Sequence, residues 1–168
     1  YLCRTGELPV LYEMAHAPNP NANKRRSAYE QAMRRLGHEP MVLSIEGTGW
    51  AFEEIAHREA GRLISERSIP TNTVFCSNDR LAIGFLSAAY EKGLRVGVGE
   101  GCAMRVAGHD DHPFSRFTCP SLTTVSQDYD KIAGHSLDCL LAMIAEGERP
   151  STKTSTLFEA SLVLRRSA

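Results

Sequence analysis

The stretch Thr73–Gly84, T-V-F-C-S-N-D-R-L-A-I-G, constrains the fold more than any other part of this chain. Its first four residues form a short β-branched and aromatic run. Pro70 and Asn72 bound that run upstream and Ser77-Asn78-Asp79 downstream, as expected of a buried strand. From Leu81 the apolar residues Leu81, Ala82, Phe85, Leu86 and Ala89 recur at helical spacing. A strand running straight into a helix is half of a βαβ unit. In an open parallel sheet the turn between them lies at the carboxyl edge, where ligands bind. Asn78 and Asp79 stand on that turn.

The same pattern repeats along the chain. Leu8–Met14 predicts a strand with Pro9 at its start, and Lys24–Leu36 predicts a helix with Tyr29, Ala32, Met33 and Leu36 on one face, stopped by Gly37. Met41–Ile45 reads as a second strand and Phe52–Arg67 as a second helix, with Phe52, Ile55, Ala56, Leu63 and Ile64 inward. The central unit runs to Gly93, followed by a glycine-rich loop, Leu94–Gly101, and a fourth strand, Cys102–Ala107. That strand ends in Gly108-His109-Asp110-Asp111-His112. Pro113–Pro120 reads as irregular, Leu122–Ser126 as a fifth strand running into Gln127, and Tyr129–Glu146 as the longest helix, ended by Gly147 and Pro150. Thr156–Leu164 closes the chain as a strand. This order predicts an α/β fold, a mostly parallel sheet with helices on both faces.

If the sheet is parallel, each strand delivers a polar or aromatic residue to one edge: Arg25, Trp50, Asn78 with Asp79, Asp110 with Asp111, and Gln127. Arg25 and Asn78 can donate hydrogen bonds, Asp110 can accept from a pair of hydroxyls, and Gln127 can do both. Trp50 offers a flat apolar face to a ring. No nucleophile stands with a base, so the set predicts binding of a small polyhydroxylated molecule rather than turnover, with no cofactor and no metal. Plainer readings stand beside these. Arg25, within Lys24-Arg25-Arg26, fits solvated helix surface, and Trp50 fits ordinary packing. Asn78 fits a helix N-cap with Asp79 as its structural first-turn carboxylate, Asp111 fits a cap for the following turn, and Gln127 fits a cap for the long helix together with Asp128.

Three sharper chemistries fail on context. His109-Asp110-Asp111-His112 are all metal-ligand types, but consecutive side chains diverge. The glycine-rich Gly97–Gly101 precedes a strand, not the helix a phosphate loop requires. Ser77 is not in a nucleophile elbow. The apolar share of 42% suits a real core, and a net charge of −1 gives no field that would draw the chain onto nucleic acid or an anionic membrane. No apolar run reaches membrane-spanning length. Five cysteines at wide spacing, without C-x-x-C, predict reduced thiols and a cytoplasmic setting. The start, Tyr1-Leu2-Cys3-Arg4, lacks both an initiator Met and the look of a signal peptide, so a fragment or processed chain is expected.

F-C-S-N-D-R-L-A-I-G, the G-H-D-D turn, P-S-L-T-T-V-S-Q-D and F-E-A-S-L-V-L-R-R resemble, in order and at similar spacing, the effector-binding domain of LacI/GalR-type bacterial transcriptional repressors. K-R-R-S-A-Y-E-Q-A-M-R-R-L-G resembles that family's effector helix. The resemblance implies a periplasmic-binding-protein-like lobe. Residues 1–126 would form the C-terminal lobe, 127–150 a helix returning towards an absent N-terminal lobe, and 151–168 a closing strand. It implies a sugar or nucleobase effector held by Arg25, Asn78, Asp110 and Gln127 with Trp50 stacking, a homodimer, and DNA bound through a headpiece outside this chain. His109 departs from the family's usual Phe or Tyr, and Leu94–Cys102 is longer and richer in glycine. Without the first lobe, the helix Tyr129–Glu146 is expected to expose its apolar stripe. Two other functions compete: a periplasmic sugar-binding protein serving a transporter, and a metal-dependent hydrolase using Asp110 and Asp111.

Overall fold

A computed structural model describes residues 1–147 and 155–168. The elements run β1 (Val10–Met14), α1 (Asn21–Arg35), β2 (Met41–Ile45), α2 (Phe52–Ser65), β3 (Thr73–Cys76), α3 (Asp79–Glu91), β4 (Arg105–Ala107), β5 (Thr124–Gln127), α4 (Tyr129–Glu146) and β6 (Ala160–Val163). The first four strands form a parallel sheet in the order β2-β1-β3-β4. Its register sets Leu11 beside Val42 and Phe75, and Val74 beside Val106.

Side-chain alternation along β1 divides the core in two. Val10, Tyr12 and Met14 face α2 and α3, in a cluster with Ile55, Ala56, Leu81, Phe85 and Val106. Leu11 faces α1 and meets Tyr29 and Met33. A tyrosine ties each layer down. Tyr12 donates to the Ala56 carbonyl at 3.0 Å and meets the Phe85 ring edge-on at 5.3 Å. Tyr29 donates to the Pro9 carbonyl at 2.7 Å and accepts from the Met41 N–H at 3.0 Å. Helices therefore lie on both faces, as the sequence predicts.

The departures lie at element ends. α1 begins at Asn21, just after Pro20, so Arg25 stands beyond its first turn rather than at its start. α2 stops at Ser65 and not Arg67, because Arg67 turns left-handed (φ 54°) and the Ser68 and Arg67 amides fold back onto the Leu63 and Ile64 carbonyls. β1 is shorter than predicted at its leading end and β6 at both ends. β4 starts at Arg105, since Cys102 is spent on a turn with Gly99. Pro113–Pro120 contains a 3₁₀ turn, Pro113–Arg116.

β5 starts two residues later than predicted and does not simply extend the parallel sheet. A parallel bridge joins Thr123 to Ala107, after which β5 pairs antiparallel with β6. The chain alongside β4 is held by Gly108 and Asp110 amides donating to the Thr123 and Val125 carbonyls, both at 2.9 Å. α4 has the predicted bounds and ends at Gly147 (φ 70°), while Pro150 lies outside the described residues. None of its residues is buried, and Leu137, Leu140, Leu141 and Ile144 are 52–68% exposed. The predicted division at 127–150 and 151–168 runs partly through residues outside the described set.

The tightest helix contact is at Gly84 of α3, where an added methyl would collide with the Glu53 carbonyl and approach Ala56 Cβ and the His57 nitrogen at 2.9 Å. Gly84→Ala is therefore expected to destabilise the chain by about 2–3 kcal/mol despite alanine's better helix propensity. Urea denaturation checks this, with a fall in midpoint at unchanged m-value as the expected result.

Candidate functional site

The turn after β3 does two separate jobs. Asn78, in extended backbone, accepts the Leu81 N–H on Oδ1 at 2.8 Å and caps α3. Its amide nitrogen is not used by that bond. Asp79, fully buried, accepts the His112 N–H at 2.8 Å and the hydroxyls of Ser115 and Thr124, each at 2.6 Å. Its own N–H donates to the His109 carbonyl at 2.8 Å. One carboxylate thus binds the start of α3 to the loop after β4 and to β5. Asp79 comes so close to Gly108 that any Cβ there would collide with it.

The loop held in this way carries Asp110 in an unusual backbone conformation (φ 116°), followed by Asp111 at φ 49°. Non-glycine residues persist in such conformations only where their surroundings over-determine them, at a cost of about 1–3 kcal/mol each. Here the surroundings do. The Asp110 amide is bonded to Val125, and its carbonyl accepts the Tyr129 hydroxyl at 2.9 Å. Its carboxylate is forked by Arg25, with Nη1 at 3.3 Å, and accepts Gln127 Nε2 at 3.1 Å. His109 Nδ1 stands 3.0 Å from the same carboxylate. Arg25 Nη1 also donates to the Ser77 carbonyl at 2.8 Å.

Four of the five predicted ligand residues, Arg25, Trp50, Asn78 and Asp110, line a cavity of about 200 Å³ at the carboxyl edge. Gln127 reaches it through Asp110. Trp50 is 59% exposed and meets Phe52 in a T-shaped arrangement at 5.8 Å, so more than half of its surface stays accessible to a ligand. Asp111 is turned away from the cavity. It pairs with Arg165 at 2.6 Å instead of capping the next turn, a job done by His112, whose Nδ1 accepts the Phe114 N–H. The cap of α4 is Asp128 alone, accepting the Lys131 N–H, while Gln127 serves Asp110.

Sequence reasoning missed Asn19, Met14, Phe52 and Arg80, which also line the cavity. Arg80 is held by Glu53 through two bonds of 2.5 and 2.6 Å and lies over the Phe52 ring. Burial pushes the Glu53 carboxyl up, but the Arg80 hydrogen bonds and charge outweigh it and hold the group below its ordinary value. The signal was available: Arg80 follows Asn78 by two residues on the same turn. Outside the cavity, on β1, burial raises the Glu13 carboxyl although Arg26 of α1 stands 2.8 Å away. Each cavity arginine thus has its own carboxylate, so the site presents balanced charge and many hydrogen-bonding groups. That suits a neutral polar ligand better than an ionic one. Among the described residues no three His, Cys, Asp or Glu side chains cluster as a metal site, and no helix is long and apolar enough to cross a membrane.

Residues 7–168 match the periplasmic binding protein-like domain family. The chain is 32% identical over 152 residues to the HTH-type transcriptional repressor PurR of Haemophilus influenzae, covering 87% of this chain and 42% of that protein. It is 33% identical over 139 residues to a probable HTH-type transcriptional repressor, ExuR, of Bacillus subtilis, covering 83% and 39%. Among solved structures, the Lac repressor dimer bound to operator and the anti-inducer ONPF superposes with a TM-score of 0.80 at 26% identity, over 99% of this chain and 54% of that one. The chain therefore spans about two fifths of the length of these curated relatives.

Asp79→Asn replaces an acceptor of three hydrogen bonds with an amide that must point a donor at one of them. The expected loss is about 2–4 kcal/mol of stability. Because the loop would loosen, the amides of Gly108 and Asp110 are expected to exchange faster in hydrogen-exchange measurements, while those of β1 and β2 change only in line with global stability.

Proposed function

This chain belongs to the periplasmic binding protein-like domain family, and from that premise we propose that it is the effector-binding and dimerisation region of a LacI-type transcriptional regulator. The observation that carries the proposal is the convergence of Arg25, Trp50, Asn78 and Asp110, with Gln127 behind, on one cavity at the carboxyl edge. The relatives that match are repressors, and the Lac repressor is known as a dimer on its operator with a small ligand bound. The effector of this chain is a small, largely neutral molecule rich in hydroxyls or ring nitrogens, a sugar or a nucleobase. DNA is bound by a headpiece outside these residues, in the cytoplasm, and no reaction is catalysed.

The mechanism follows from the hydrogen bonds. In the free site Arg25, Gln127 and His109 satisfy Asp110. A ligand hydroxyl pair replaces part of that set, while Trp50 covers its apolar face. Residues 127–150 belong with a first lobe that closes over the ligand, and the exposed stripe of α4 is the surface that lobe covers. Residues 1–126 and 151–168 form the second lobe. The ligand shifts the open–closed equilibrium only by its difference in affinity for the two states, and that difference is transmitted to the operator-binding headpieces.

A thermal-shift screen of sugars and purines on the full-length protein tests this. The best hit is expected to lose about tenfold or more in affinity on Arg25→Ala or Asp110→Ala, the weight of one charged hydrogen bond. An unchanged shift in both variants contradicts the site.

A further inference from the structure

At the amino edge of the sheet, on the far side from the effector cavity, lies a second cleft of about 670 Å³. Its walls come from the C-terminal half of α3, the segment entering β4, the loop before β5, and Arg166 beyond β6. Three arginines line it, Arg95, Arg116 and Arg166, and no carboxylate does. None of the three forms a salt bridge with any described residue. The contrast with the effector cavity is direct, because there Asp110 and Glu53 occupy both arginines.

The three arginines are carried on fixed backbone although their heads are exposed. Arg116 ends the 3₁₀ turn whose Ser115 is bonded to Asp79. The Arg166 N–H donates to the Ser121 carbonyl at 3.0 Å, and the Arg95 carbonyl accepts the Ala103 N–H at 2.7 Å. The Arg95 guanidinium lies over Gly101, where an added Cβ would sit 3.0 Å from Nη1. Three like charges on a concave wall raise the local positive potential, and guanidinium forks match the oxygens of a phosphate. Tyr90, on α3, adds an aromatic wall beside them. The volume falls in the range of small-molecule sites, about 300–1,000 Å³.

We propose that this cleft is a second ligand site, distinct from the effector cavity, which binds a phosphate-type oxyanion through Arg95, Arg116 and Arg166. The phosphate arrives either as the free ion or as the ester of a small metabolite whose remaining atoms lie against Tyr90. Sharing the Asp79-anchored loop through Arg116, the site is placed to influence the effector rim.

Cys119 is exposed on the same cleft and Cys139 is exposed on α4 away from it, so the two thiols give a probe and an internal control. The full-length protein is alkylated with N-ethylmaleimide and each cysteine is read by mass spectrometry. Inorganic phosphate and glucose 6-phosphate are the test ligands, with sodium chloride at matched ionic strength and glucose as controls. Phosphate compounds are expected to slow Cys119 alkylation at least about fivefold and leave Cys139 unchanged. Protection at lower concentration by glucose 6-phosphate identifies an ester, and equal protection identifies the free ion. The triple variant Arg95→Gln, Arg116→Gln, Arg166→Gln is expected to weaken apparent binding about tenfold or more, whereas Arg25→Ala keeps it. No protection, protection matched by sodium chloride, or protection that survives in the triple variant overturns the proposal. So does a triple variant that changes only the oligomeric state, since the arginines would then serve a second copy of the chain.

Discussion

A buried carboxylate with three donors around it organises the functional edge of this molecule. Asp79 begins α3, yet its oxygens are spent on the His112 amide and the hydroxyls of Ser115 and Thr124. Removing a carboxylate from water is expensive unless its lone pairs are filled, and here they are filled from two other segments of the chain. The turn after β3, the loop after β4 and the start of β5 are thereby locked together. Gly108 is required because Asp79 leaves no room for a side chain. Asp110 holds its strained backbone conformation because the loop on both sides of it is fixed.

From that anchor the charge arrangement of the whole lobe can be followed. At the carboxyl edge each arginine is matched, Arg25 by Asp110 and Arg80 by Glu53, so a ligand entering there exchanges hydrogen bonds rather than neutralising a charge. At the amino edge Arg95, Arg116 and Arg166 stand without carboxylates on their cleft. The two ends of one sheet therefore favour different ligand chemistries. α4 projects from this body with its apolar residues uncovered, and its Tyr129 hydroxyl reaches back to the Asp110 carbonyl. On the proposed function, the helix that a first lobe would cover is thus hydrogen-bonded to the residue that the ligand would contact.

Much of this was legible in the residue order. Short apolar runs bounded by turn residues placed β1 to β3, and period-3.6 apolar stripes placed the four helices. The assignment of Arg25, Trp50, Asn78 and Asp110 to one edge followed from the parallel topology, and the cavity brings them together. The ends of β4 and β5 were not legible, since Cys102–Met104 and Leu122–Thr123 are as apolar as strand residues but are used in a turn and an isolated bridge. The choice of Asp110 over Asp111 came from the family resemblance and not from side-chain chemistry. Asp110 and Asp111 have the same chemistry, and only the left-handed turn sends one to Arg25 and the other to Arg165, 54 residues away. The partners of Arg80 and Arg26 were missed for the same reason: ion pairs between elements leave no periodic mark.

On the proposed function, a small ligand touching Trp50 and Asp110 controls operator binding. Trp50 is the one tryptophan in this chain, and it lines the cavity. Its indole N–H resonance in the full-length protein, assigned by its loss in Trp50→Phe, reports occupancy directly. The resonance is expected to shift with the same midpoint as the ligand-induced change in operator affinity, and Asp110→Asn is expected to remove both together. A ligand that changes operator affinity while the Trp50 resonance stays in place would contradict the proposed function.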